Sequence, residues 1–231
     1  MNSYSPEELL ACTIARLVAD AGHVAVGAAS PIPATGAFLC RFLHQKGLRI
    51  SLLHQRKGNP FTEGSRELFD LAGQGRIDVF FLGGAQIDGE ANVNLVRAEG
   101  KRFPGSFGSA FMYAVVPQVI LFREEHSRRV LVPKVEFVSA CGSPQALLTG
   151  KALFRWQPER RRFLLESVHP GSSAEEVRDC TGFDYDAPQQ AAATPGPHAA
   201  ELELLRGPVA REIAANYPEF ALRLWKAGAT A

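Results

Sequence analysis

Two glycine-rich stretches carry the residue types best suited to chemistry. One opens on Gly83–Gly84 in LGGAQIDGEANVN (82–94); the other places Gly105, Ser106, Gly108 and Ser109 in KRFPGSFGSA (101–110). Such glycines let backbone N–H groups approach a ligand oxygen with no Cβ in the way. A loop of this kind leading into a helix favours an anion or a developing oxyanion. One Gly pair alone reads better as a turn; two such loops at neighbouring strand ends read as a site. Neither is a P-loop, and no GxGxxG follows a predicted strand, so a dinucleotide site has no support. Between the glycines stand Gln86, Asp88, Glu90, Asn92 and Asn94. Asn92 and Asn94 have period 2 and would share one side of a short strand. Asn amides serve as site donors or as braces within a loop, and by themselves bracing is the better reading. Upstream, HQRKGNPFTEG (54–64) follows a strand; Glu63 and Glu67 beside it suit solvated carboxylates. His54 is the one histidine at a predicted strand end. No Ser/His/Asp or metal-ligand spacing can be built around it, so it receives no role and no metal is expected.

The elements that must hold these segments follow from periodicity. Ser5, Pro6 and Glu8 occupy N-cap, N1 and N3 of a capping box, and Leu10, Ile14, Leu17 and Val18 then give one apolar helix face. HVAVG (23–27) is a strand, residues 34–46 a helix stopped at Gly47, LRISLL (48–53) a second strand, Ser65–Leu71 a helix, and DVFFL (78–82) a third strand running into Gly83–Gly84. Strand and helix alternate, and the strands are apolar throughout. This is the pattern of a mainly parallel sheet with helices on both faces. Ligands of such sheets bind beyond the carboxyl ends of the strands, where all three polar segments fall. PQVILF (117–122), RRVLVP (128–133) and KVEFVSA (134–140) read as further strands. ALFRW and RFLLESV around PERRR read as an antiparallel hairpin. Ser173 and Glu176 cap a short helix to Cys180. Residues 187–198 read as an exposed linker, and 199–226 as a helical tail broken at Gly207–Pro208. The expected domains are therefore 1–186, a linker over 187–198, and a tail over 199–231.

Composition excludes several classes. The 231 residues carry 25 Lys and Arg against 24 Asp and Glu, a net charge of +1, without the positive field of a dedicated nucleic-acid binder. No apolar run approaches the roughly 20 residues needed to span a bilayer. The N-terminus, with two Glu and no Lys or Arg before its apolar stretch, reads as a helix rather than a secretory signal. Cys12, Cys40, Cys141 and Cys180 form no CxxC pair, so small buried hydrophobes in a reducing cytoplasm are expected.

Four segments in order resemble one family over about residues 10–186. LGGAQIDGEANVN is similar to the GGAQ-[IV]-D-x-x-GNVN stretch of family I CoA-transferase β subunits, and KRFPGSFGSA to their R-x-x-GSGGA loop. KVEFVSACG (134–142) resembles their K-[IV]-[DE]-[FY]-V-T-S-x-G segment. ESVHPGSSAEEVRDCTGFDYD (166–186) resembles their closing HPG…TGF signature. The nearest pattern is that of glutaconate CoA-transferase β subunits. The resemblance implies an open three-layer α/β/α fold, a small hairpin and a helical tail. It also implies an α-like partner in a heterodimer or α2β2 heterotetramer, a site at the α–β interface, and an acyl-CoA substrate with no bound cofactor beyond the coenzyme A of that substrate. In the family a glutamate attacks the thioester, passing through a mixed anhydride to a glutamyl-CoA thioester, a covalent route that splits one hard exchange into easier steps.

The resemblance assigns Gly83, Gly84, Ala85, Gly105, Ser106, Gly108 and Ser109 to oxyanion or CoA binding, and Gln86, Asn92 and Asn94 to substrate. It also exposes a departure. Where glutaconate-type β subunits carry the nucleophile in E-S-G, this sequence reads LLHQRKG, with Gln55 at the nucleophile position. A neutral amide cannot form the anhydride. Ala91 replaces the glycine of GNVN, and Phe107 interrupts GSGGA. The expected function is the β-like subunit of a heteromeric acyl-CoA enzyme without its own glutamate nucleophile. Alternatives are a hydrolase opening cyclic β-diketo acyl-CoAs or an acyl-CoA decarboxylase, either with its carboxylate on the α subunit. A catalytically silent subunit, or a transferase using Glu63, are the remaining readings.

Overall fold

Ser5 starts the first helix as its spacing predicts. Its hydroxyl accepts from Glu8 N–H at 3.2 Å while the Glu8 carboxylate accepts from Ser5 N–H at 3.0 Å. The computed structural model describes residues 4–44, 47–55, 61–103 and 105–226. Its elements begin α1 (Pro6–Leu17), β1 (His23–Val26), α2 (Pro31–His44), β2 (Arg49–Leu52), α3 (Ser65–Gly73), β3 (Val79–Leu82). Then come β4 (Gln86–Ile87), β5 (Val93–Asn94), β6 (Arg97–Ala98), β7 (Lys101–Arg102), α4 (Ser109–Val115), β8 (Gln118–Arg123) and β9 (Ala146–Thr149). The chain closes with β10 (Ala152–Gln157), β11 (Arg162–Val168), α5 (Ala174–Cys180), β12 (Ala192–Ala193), α6 (Ala199–Leu204), a π-helical turn Leu205–Val209, α7 (Ala210–Asn216) and α8 (Pro218–Trp225). Eight strands make a mixed, mainly parallel sheet, accompanied by helices. No helix among the described residues is long and apolar enough to cross a membrane.

Two units divide the chain. The first comprises Met1–Thr62, Ile77–Val79 and Pro195–Ala231. Here β1 and β2 pair in parallel, Val24 opposite Ile50 and Val26 opposite Leu52, and all four β1 residues are buried. The C-terminal helices are tied to α1 by charge. Burial alone would raise the Glu8 carboxyl, but hydrogen bonds from Arg206, Ser5 N–H and the Trp225 indole outweigh it and hold the carboxyl below its usual range. The expected break at Gly207–Pro208 is instead a π-helical widening, because proline removes one N–H from the ladder without ending it. The chain breaks ten residues on, at Tyr217 (φ −136°, ψ 66°), where the following Pro218 disfavours helical backbone.

The second unit comprises Glu63–Arg76 and Phe80–Thr194. Its strands run in the order β12-β11-β10-β9-β8. The predicted hairpin is β10–β11, antiparallel, with Trp156 opposite Phe163. Phe154 and Phe163 are fully buried at its centre, and Phe163 meets Trp156 edge-on (4.9 Å) and Phe183 at a tilt (5.7 Å). Two strand expectations fail. Residues 128–133 and 134–140 contribute only single bridges, Ile87 to Leu131 and Val93 to Ala140. Pro133 lacks the N–H a continuing ladder needs, and these apolar runs spend their pairing on the β4–β5 hairpin: Ile87 N–H donates to Val130 O and Val93 N–H to Ala140 O, both at 2.8 Å. Within 187–198, β12 pairs in parallel with β11.

A hydroxyl–imidazole network lies inside this unit. Thr181 Oγ1 donates to Val177 O at 2.7 Å and meets His126 Nε2 at 2.9 Å, while His126 Nδ1 meets Thr149 Oγ1 at 2.7 Å, a hydroxyl that also reaches Ala152 O at 3.0 Å. His169 donates through Nε2 to Thr149 O at 2.9 Å and meets Thr194 Oγ1 at 2.8 Å. Burial pushes the His126 imidazole down to about 4 and lowers His169 as well. Unfolded histidine takes up its proton near pH 6.5, so below that pH the unfolded chain binds more protons than the folded one. Stability is thus full above pH 6.5 and falls between there and about pH 4, with His126 alone contributing about 3 kcal/mol of the loss. Urea unfolding across this range measures it. A His126→Gln variant should show a shallower slope; an unchanged slope would remove His126 as the cause.

Candidate functional site

In the first unit, β2 delivers its carboxyl end to a turn in which Leu53 N–H donates to Val26 O (2.9 Å) and Gln55 N–H to Leu52 O (3.0 Å). His54 is fixed from the C-terminal helices. Its ring centroid lies 4.5 Å from that of Tyr217, whose hydroxyl is 3.3 Å from His54 Nδ1. Burial pushes the Tyr217 phenol up to about 12, so it carries its proton and donates to Nδ1. His54 Nε2–H is then left to donate to Asn216 O at 3.3 Å. Gln55 therefore follows a pinned residue. Residues 56–60 of HQRKGNPFTEG lie outside the described residues.

The other site candidates stand in the second unit. The β4–β5 hairpin pairs Gln86 with Asn94, and their side chains join: Asn94 Nδ2 donates to Gln86 Oε1 at 2.9 Å and to Arg97 O at 2.6 Å. Gln86 Nε2 donates to Glu136 at 2.9 Å. The Glu99 N–H and the Gln86 amide hold the Glu136 carboxyl below its usual range. Glu136 is a polar partner that sequence reasoning passed over, because one carboxylate in an apolar run looks like a solvated strand position. Asn92 turns elsewhere, donating to Asp88 at 3.2 Å. Asp88 is buried and also accepts the N–H groups of Glu90, Asn92 and Val135. These contacts brace the hairpin, and they leave Gln86 and Asn94 as a connected pair apart from Asn92.

Gly84 is set by close approach: a Cβ there would run into Val93 Cγ1 and lie 3.1 Å from Gln86 O. Ala85 N–H is consumed by Asn94 O at 2.8 Å. The Gly83–Ala85 backbone thus supports the hairpin. Glu63 is exposed, its N–H bonded to Glu67 at 3.3 Å and its carboxylate 3.5 Å from Arg66.

The second glycine loop differs. Gly105 has φ +109°, and among the described residues, its chain neighbours aside, nothing lies within 4 Å of where a Cβ would project. Phe107 has φ +48°, and Gly108 follows at φ −96°, ψ 13°. Ser109 N–H donates to Ser106 O at 2.8 Å, whereas the N–H groups of Gly105, Ser106, Phe107 and Gly108 meet no acceptor among the described residues. Left-handed followed by right-handed backbone turns successive N–H groups toward one concavity, a form that binds anionic oxygens. Gly108 sits against the Phe69 ring so closely that a Cβ would enter it. Both positions where the sequence departs from the family's glycines keep positive φ: Ala91 at +61° and Phe107 at +48°. Ala91 is buried there, its carbonyl accepting from Tyr113 Oη at 3.0 Å.

Among the described residues no three His, Cys, Asp or Glu side chains gather as a metal site would require. A family model described as coenzyme A transferase matches residues 49–179. The β subunit of 3-oxoadipate CoA-transferase from Pseudomonas knackmussii is 26% identical over 256 aligned positions, covering 94% of this chain and 97% of that protein. The β subunit of glutaconate CoA-transferase from Acidaminococcus fermentans is 28% identical over 150 positions, 55% of each chain. Among solved structures, the decarboxylase AibA/AibB superposes with a TM-score of 0.74 at 25% identity, covering 88% of this chain and 94% of the other.

Proposed function

This chain belongs to the coenzyme A transferase family as a β-type subunit, and we propose that it acts on an acyl-CoA thioester without supplying a glutamate nucleophile. The observation that carries the reading is the 105–108 loop, whose four N–H groups are unspent among the described residues and whose backbone suits an oxyanion. Donors of this kind, fixed before the reaction, stabilise the negative oxygen that develops when a thioester carbonyl is attacked. Gln55, after the pinned His54, offers an amide that can orient a carbonyl or a water but has no ionised oxygen for attack. The carboxylate then comes from an α-type partner, in keeping with relatives that are each named as one subunit of a CoA-transferase. Coenzyme A enters as part of the substrate, and the assembly is a heterodimer or α2β2 heterotetramer working in the cytoplasm. Gly83, Gly84, Ala85, Gln86, Asn92 and Asn94 act by shaping the β4–β5 hairpin. Ring-opening hydrolysis of a cyclic β-diketo acyl-CoA remains compatible with the same donors.

A decarboxylase reading has one specific support, the similarity to AibA/AibB along most of both chains. Decarboxylation of an acyl thioester whose carboxylate stands on the α carbon, or on the γ carbon of a 2-enoyl thioester, breaks the C–C bond to the carboxyl group, releases CO2, sends the electron pair into the thioester enolate or dienolate and needs a proton afterwards. The enolate oxygen would occupy the same N–H cradle. Co-expressing the chain with an α-type subunit and measuring thiol release and CO2 from acyl-CoA tests the proposal. The complex should turn substrate over and this chain alone should not. Full turnover by the isolated chain would refute the partner's role.

A further inference from the structure

We propose that Phe107, seated on Phe69 beside Phe111, forms the acyl-side wall of the thioester site and suits it to a bulky apolar acyl group, branched, cyclic or aromatic. This rests on the reading of the 105–108 loop as the thioester cradle. Phe107 stands between Ser106 and Gly108, inside the run of unspent N–H groups. A thioester carbonyl held by those groups has two substituents, the sulfur with its coenzyme A arm and the acyl group. Phe107 is rooted in that run of donors, so its exposed ring is the side chain available there to meet one of them. The coenzyme arm is a chain of amides, and burying amides against a surface without donors or acceptors is unfavourable. Three phenylalanine rings offer neither, so the apolar acyl group is the matching occupant.

Phe107 also carries two costs at once. Its φ of +48° is one that a side-chain-bearing residue adopts only under constraint, and its ring is 81% exposed. Glycine at this position would relieve both. The rings behind it are already in place: Phe69 lies 5.7 Å from Phe107 and 5.5 Å from Phe111, the latter edge-on at 72°. Gly108 rests on the Phe69 face, and Gly73 of α3 brings its Cβ direction to 3.7 Å from Phe111 Cζ. A wall built before the ligand arrives loses little freedom on binding. Phe111 is itself 41% exposed, extending the apolar face along α4.

The test uses the full chain co-purified with its α-type partner and three probes: acetyl-CoA, glutaryl-CoA and phenylacetyl-CoA. Wild type should bind phenylacetyl-CoA at least about tenfold more tightly than the other two, the discrimination an apolar pocket ordinarily supplies. Phe107→Gly, which lifts the backbone strain and should unfold no earlier in urea than wild type, should reduce that ratio to about twofold or less, as expected when the pocket's apolar contact is removed. Retention of the full ratio in Phe107→Gly, or a wild-type preference for glutaryl-CoA, overturns the proposal while leaving the thioester reading intact. Loss of co-purification in Phe107→Gly would make the ring a subunit contact and equally overturn it. Failure of the wild-type complex to bind any of the three thioesters would instead sink the thioester reading itself.

Discussion

Gly105→Val should lower thioester turnover by the complex about 100- to 1,000-fold, the range set by removing one oxyanion donor, with little change in the unfolding midpoint. The residue sits at φ +109°, and among the described residues, its chain neighbours aside, no atom lies within 4 Å of where a Cβ would stand. Valine therefore meets no steric wall; it meets a backbone conformation that β-branched residues essentially never hold. Rotation of the peptide to negative φ relieves this and turns the Gly105 and Ser106 N–H groups out of the concavity. The loss should appear in kcat, because the donors act on charge that develops in the transition state. Gly105→Ala, less demanding at the same φ, should lose less. Near-normal kcat in Gly105→Val would take the loop out of the site.

Gln55→Glu should create a covalent intermediate that wild type lacks. The substitution would put a carboxylate at the position that the resemblance assigns to the family's nucleophile, at the end of a turn fixed by Gln55 N–H to Leu52 O and by the His54–Tyr217 contact. An acyl-CoA substrate should then yield a trappable glutamyl-CoA adduct on this chain, detectable as a mass increase that borohydride or hydroxylamine treatment modifies. Misplacement by about 1 Å can cost on the order of 100-fold, so a slow adduct still meets the expectation. Complete absence of adduct, in a variant that retains thioester binding, would show that Gln55 does not occupy the nucleophile position.

Local rules read well wherever one segment decides its own structure. The Ser5–Glu8 capping box, the β10–β11 hairpin and the Ser173 cap, whose hydroxyl accepts from Glu176 N–H at 3.0 Å, all stand as spacing predicts. What escaped depends on partners distant in sequence. Residues 128–140 have strand-like composition, yet among the described residues they form β-bridges only at Leu131, with Ile87, and at Ala140, with Val93. Ala146–Thr149, four fully buried residues, forms a central strand in a segment with no alternation to announce it. The tail's break falls at Tyr217 rather than Gly207–Pro208, since a π-helical turn can absorb a proline but the residue before Pro218 leaves helical backbone. For the site, residue type located the glycine loops without separating their roles: Gly84 answers to Val93, while Gly105 answers to no side chain. The positive φ of Ala91 and Phe107 is invisible in those residue types and legible only as glycines missing from a pattern. Glu136 could have been found from the alternation of KVEFV, had its pairing with Gln86 across 50 positions been foreseeable.

We propose that this β-type chain takes part in acyl-CoA chemistry without becoming covalently attached to it. Intact-mass measurement of the wild-type chain, quenched during steady turnover of acyl-CoA by the assembled complex, tests it most directly. The chain should keep its unmodified mass while the thioester is consumed. An acyl or CoA adduct on this chain would contradict the account and make Glu63 the first candidate nucleophile.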